Sequence, residues 1–254
     1  MHFLTPFMLR AIVLCTLALC LSCCTTLEYR AIQQQFEDAV QADNVRSVSP
    51  FTDPEVPDAS YREVAARLTP QYIAGLEAAL RPNAWMLRSI ATWRAGELTN
   101  ALSSANAGLA APALKPHSRD HIILLMIPAL VIDSDLKQKW DAAGQAIAPA
   151  NYAAYEKDFQ TALAKLEEAE DSIGEATPAS AVYYLHYQRW RILQNWRKVI
   201  RSIQADTPQP RIDAGAKAKA FLGGKELKEA AEADRDAIQA DHPLRALIRA
   251  QGGG

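Results

Sequence analysis

Cysteine is absent from all 230 residues after Cys24, so most of the chain has neither a disulfide nor a thiolate metal ligand. Its fold must be held by packing alone. Runs of β-branched residues bounded by turns are scarce, which removes the usual signature of a sheet. The chain has no Gly-x-Ser-x-Gly elbow and no His-Glu-x-x-His. Gly223-Gly224-Lys225 lacks the longer glycine frame that cradles phosphate and reads as a helix boundary. Positive charge is not in excess either. Leaving out Arg10, 26 basic residues face 29 acidic ones, which gives no case for nucleic acid.

Alanine and helical periodicity fill the space these absences leave. Segment 26–42 places Leu27, Ala31-Ile32, Phe36 and Ala39-Val40 on one stripe. Residues 43–59, with Pro50, Pro54 and Pro57, read as a loop. Ser60-Tyr61-Arg62-Glu63 has capping-box spacing, and Thr69-Pro70 reads as a cap with proline in the first turn. Arg81-Pro82-Asn83 separates the next two helices. Ile122 to Ile132 is apolar all round and interrupted by Pro128, which predicts a buried, kinked helix and a new helix from Ser134.

Two heptad seams follow. The first runs Tyr152, Tyr155, Phe159, Ala162, Leu166, Ala169, Ile173, and the second Val182, Leu185, Arg189, Ile192, Trp196, Val199, Ile203. Thr177-Pro178 lies between them, so an antiparallel hairpin is expected, an acidic helix against a basic one. Arg189 sits on the apolar seam and must snorkel out or meet a carboxylate from 156–175. Asp206 to Pro210 reads as a linker, Lys225 to about Ala240 as a helix, and His242-Pro243 as the start of a short last helix.

At the N-terminus, Ala11 to Leu21 form an apolar stretch of 11 residues after Arg10, too short to span a bilayer. Leu21-Ser22-Cys23-Cys24 closes it. The string resembles the signal peptide and lipobox of a bacterial lipoprotein, which implies export and an acylated cysteine. Cys24 has Leu21 three residues before it, and Cys23 has the small Ser22 just before it, so Cys24 is favoured and Cys23 is the alternative. Neither is followed by Asp, a pattern associated in proteobacteria with the outer membrane.

Between 85 and 112 runs Trp85, Ser89, Gly96-Glu97-Leu98, Ala101-Leu102, Ala105, Gly108 and Pro112. This order resembles one tetratricopeptide repeat, two helices joined by a tight turn. Small residues at Ser89, Ala101 and Gly108 let two backbones approach, and Gly96 supplies the turn. A weaker match runs from Tyr183 through Tyr187 and Trp196 to Val199-Ile200. The resemblance implies an all-α fold of antiparallel helical hairpins stacked as a TPR-like superhelix or α-solenoid.

The reading divides the chain into a signal peptide over 1–23, an N-terminal helix and Pro-rich linker over 24–59, TPR-like repeats over 60–204 and C-terminal helices over 205–254. No residue set points to catalysis, a metal or another cofactor. His117 and His121, with Asp120 between, supply at most three ligands and read as a helix start. The carboxylates at Glu167-Glu168 and Glu170-Asp171 read as a solvated helix face. Aromatic and arginine side chains concentrate over 183–201, the composition of interaction hot spots. Tyr184, Tyr187, Trp190 and Arg191 are the candidate partner-binding residues, with core packing as the competing role. The expected function is a non-enzymatic, lipid-anchored scaffold facing the periplasm, holding an envelope protein or peptide. The second expectation is a transporter-associated lipoprotein with a small-molecule channel between helices.

Overall fold

The computed structural model describes residues 26–42 and 59–251. The segment read as a signal peptide, with Cys23, Cys24 and most of the Pro-rich linker, lies outside these residues. The described residues are all-helical and contain no strand. The helices are α1 (26–42), α2 (Ala59–Arg67), α3 (Pro70–Gly75), α4 (Arg81–Arg94), α5 (Leu98–Leu109), α6 (Arg119–Ala142), α7 (Tyr152–Asp171), α8 (Ala179–Arg201), α9 (Gln209–Phe221), α10 (Leu227–Ala237) and α11 (Pro243–Ala250).

Local chemistry sets several boundaries. Thr69 accepts from Tyr72 N and caps α3, Ser118 accepts from His121 N at the start of α6, and the His242 ring accepts from Leu244 N ahead of Pro243. Such side-chain caps satisfy donors that the first helical turn leaves open. Ser60 falls inside α2 and is not its cap. A helix not expected from sequence, α9, buries only Ala214 and Ala218, too faint a stripe for periodicity to flag.

Helix α6 departs most from expectation. It runs unbroken for 24 residues with Pro128 inside it, and Ser134 continues the helix instead of opening another. Its apolar girth has a simple cause, because both sides are covered. Ile123, Leu124, Ile127, Leu130 and Val131 join a core made with α1 to α5. Ile122, Met126, Ala129 and Leu136 join a second core made with α7 to α11. Burial on both sides offsets the hydrogen bond lost at an internal proline, since each large apolar side chain contributes about 1.5–3 kcal/mol.

Contacts run in order along the chain. Helix α4 packs on α6 and α6 on α8, while α5 lies against α4 and α6, and α7 against α6 and α8. Asn83 Nδ2 donates to Asp120 near the starts of α4 and α6, and Trp93 Nε1 donates to Leu130 O and Ser134 Oγ further along both, so the two helices are parallel. Arg191 and Asn195 reach Asp133, and Trp140 reaches Ser202, so α8 is parallel to α6. The α4–α5 turn uses Gly96 at φ +81°, and Gly108 is the point of close approach. A Cβ there would lie 2.8 Å from Leu124 Cδ1 and 2.9 Å from Trp85 Cβ. The division between cores therefore falls within α6, and the helices beyond residue 205 share a core with α7 and α8.

Candidate functional site

Helix α8 presents three faces. Leu185, Ile192, Trp196 and Val199 form the buried seam, with Trp196 stacked on Phe159 of α7 at 5.4 Å between ring centroids. Trp196 Nε1 donates to Tyr152 Oη, and burial pushes that phenol up to about 12. Arg189 on this seam meets Glu170 of α7 and lies 3.7 Å from Asp234 of α10. His186 Nδ1 is 2.9 Å from the same Asp234, a buried carboxylate whose pKa burial raises while His186 and Arg189 pull it back.

The face towards α4 and α6 carries Tyr184, Gln188, Arg191 and Asn195 at helical spacing. Arg191 Nη2 donates to Asp133 Oδ2 at 3.0 Å, and Asn195 Nδ2 donates to Asp133 Oδ1 at the same distance. The Arg191 guanidinium lies 5.3 Å from the centroid of the Trp93 ring, and Arg94 stands at 5.3 Å from that ring and 5.7 Å from Tyr61. Such cation–π contacts strengthen when desolvated. Burial lowers the Arg94 pKa and raises that of Tyr184, which lies close enough to both guanidinium groups to feel their charge.

Two buried side-chain polar atoms have no hydrogen-bond partner among the described residues, and both belong to this face: Gln188 Oε1 and Arg191 Nε, although the Gln188 amide lies within hydrogen-bonding reach of the Tyr184 hydroxyl. An acceptor and a donor one helical turn apart, both covered and both open, mark a place where the usual satisfaction of buried polar groups is incomplete.

Of the four residues predicted to line a groove, two do not face one. Tyr187 and Trp190 are 8% and 3% exposed and belong to the C-terminal core. Helix α11 shares that core through Leu247 and Ile248, and Gln251 Nε2 donates to Tyr187 Oη at 3.3 Å. Tyr184, Tyr187 and Trp190 stack in a row, so the core rings continue out to Tyr184. Tyr184 and Arg191 remain partly accessible. Sequence reading missed Trp93, Arg94, Asp133, Gln188 and Asn195. Only Asp133, a carboxylate at the end of an apolar run, carried a signal.

His117 and His121 hold a loop. The backbone N–H of His117 donates to His121 Nδ1, while His117 Nδ1 lies 2.7 Å from Ser172 O, and Thr177 Oγ1 donates to His117 O. His117 adopts φ +61°, and a Cβ on Gly174 would come within 2.9 Å of its ring. Among the described residues no group of three or more His, Cys, Asp or Glu side chains is placed to hold a metal ion. A cleft of about 490 Å³ lies between α8, α9 and α10, with Arg197 and Arg201 on one wall and Glu226, Glu229 and Glu232 on the other.

Known protein families, curated proteins and solved structures were compared with this chain, and none matches it.

Proposed function

We propose that this chain is a lipid-anchored helical-repeat scaffold of the bacterial cell envelope that faces the periplasm, its anchor in the outer membrane, and holds a peptide segment of a partner protein against α8. The tetratricopeptide-like reading is supported by the two layers, α4–α6–α8 in parallel order with α5 and α7 behind. It is supported further by the close approach at Gly108 and the turn at Gly96. Anchoring rests on Leu21-Ser22-Cys23-Cys24, with Cys24 acylated.

The observation that carries the binding reading is the open pair on α8. A peptide group offers an N–H and a C=O, the complements of Gln188 Oε1 and Arg191 Nε. Both atoms are covered, so the partner must displace a side chain, and Tyr184 and Arg191 are the partly accessible ones. Two guanidinium groups among Trp93, Tyr61 and Tyr184 favour a segment with an acidic or aromatic residue beside that peptide group.

Two measurements test this. The intact mass of the mature protein should show an acylated N-terminal Cys24, and an unmodified product would end the anchor reading. A photo-crosslinker replacing Tyr184 should capture a partner in native envelopes that one replacing Glu168 does not. Gln188→Leu should abolish that capture while leaving the unfolding midpoint nearly unchanged. Equal capture from both positions, or capture indifferent to Gln188→Leu, would remove the site.

A further inference from the structure

We propose that the end of the bundle holding the starts of α1, α4 and α6 is an apolar platform that rests on the lipid surface. The inference depends on the acylation of Cys24 proposed above and adds an orientation to it.

Hydrogen bonds fix which elements share this end. Tyr29 Oη donates to Asn83 Oδ1 at 2.7 Å, and Asn83 Nδ2 donates to Asp120 at 3.0 Å, which ties the first turn of α1 to those of α4 and α6. Segments 74–80 and 110–116 lead into α4 and α6, so they lie at the same end. Together these segments hold two charges, Glu77 and Lys115, and expose Ala78, Ala79, Pro112 and Pro116. Leu27, in the first turn of α1, is 59% exposed. One residue, Thr25, separates Cys24 from Thr26 at the start of α1, a span of about 7 Å at most. An acylated Cys24 therefore cannot hold this platform far from the headgroups.

Charge at this end is mixed. Exposed Arg30, Lys115 and Arg119 surround the platform against Glu28 and Glu77, which suits an anionic leaflet weakly. Beyond α6, the end of α7 exposes Glu167, Glu168, Asp171 and Glu175. An anionic surface repels that side and tips the contact towards α1. The other end of α6 lies about 36 Å away, from the helical rise over its 24 residues. Towards that end, Asp135, Lys137, Lys139 and Asp141 crowd the last two turns of α6.

The test uses the acylated full-length protein in vesicles of phosphatidylethanolamine with a minor share of phosphatidylglycerol. A fluorophore is attached through Ala113→Cys or Ala205→Cys, and some headgroups carry a nitroxide quencher. Quenching should be several-fold stronger at position 113 than at 205, and adding Leu27→Asp should reduce it at 113. Equal quenching, or stronger quenching at 205, from vesicle-bound protein would overturn the orientation. Wild-type protein that lacks the acyl mass and does not float with the vesicles would instead overturn the anchor itself, and this inference with it.

Discussion

The two cores that share α6 bury alanines and rings alike, but one helix pair of each closes differently. Helices α4 and α5 meet on small residues: Ala84, Ala91, Ala101 and Ala105 are at most 1% exposed, and Gly108 admits no Cβ without a shift. Helices α7 and α8 carry the rings Tyr152, Phe159, Tyr187, Trp190 and Trp196, and α8 faces the buried carboxylates Asp133 and Asp234. Small residues let helices approach until backbones touch, so the α4–α5 contact has little room for added atoms. Rings hold helices further apart and leave space for ion pairs, so the contacts of α8 are vulnerable to lost atoms and lost partners.

Truncation should separate the halves most. Trp196→Ala is expected to cost about 4 kcal/mol, the range for a fully buried ring, read as a lower urea midpoint. A loss under about 1 kcal/mol would mean that the stack on Phe159 contributes little. Removing one partner of the buried pair comes next. Arg191→Ala should cost about 3 kcal/mol because Asp133 keeps its charge with only Asn195 beside it. Adding Asp133→Leu should recover most of that loss, and a double variant as unstable as the single one would show that packing is what Arg191 supplies.

Enlargement should act in the opposite half. Gly108→Ala is expected to destabilise by about 2 kcal/mol, since its Cβ would press on Trp85 Cβ as well as on the flexible end of Leu124. An unchanged melting curve would show that α5 can shift outward at no cost.

Acidity should sharpen the contrast with smaller effects. Asp234 has a raised pKa in the folded state, chiefly from burial, so its ionisation opposes folding as pH rises from the ordinary carboxylate range through the raised value. Asp234→Asn should therefore gain stability relative to wild type as pH increases across that window, and a flat difference would refute it. His121 behaves in the reverse sense. Its pKa is lowered below 6.5, by burial first and by His117 second, so its contribution is complete above 6.5 and is lost as pH falls towards the lowered value. Protection from hydrogen exchange at residues 172–177, where His117 docks, should fall relative to the intrinsic rate on acidification below that point. His121→Gln should remove the dependence.

Much of the fold was legible because it repeats locally. The heptad spacing of Tyr152 to Ile173 and of Val182 to Ile203 gave α7 and α8, and their charge gave the pairing that Arg189 makes with Glu170. Gly96 and Gly108 marked a turn and a close approach through the repeat that residues 85–112 resemble. Reading failed where a neighbour decided the outcome. Pro128 does not end α6, because two cores clamp it. Tyr187 and Trp190 are covered in the C-terminal core, where Gln251, just past α11 and distant in sequence, reaches Tyr187.

The sequence by itself determined that the described residues are helical, where most helices start, which faces are apolar and where glycine marks a turn, since these follow from periodicity and backbone sterics within a few turns. Tertiary structure alone decided which aromatic residues of α8 are covered and that Asp133 receives Arg191. It also decided that Gln188 and Arg191 are left with open hydrogen-bonding atoms. Those outcomes depend on which surfaces meet across 50 or more residues, as from Asp133 to Arg191, and no local pattern encodes the meeting.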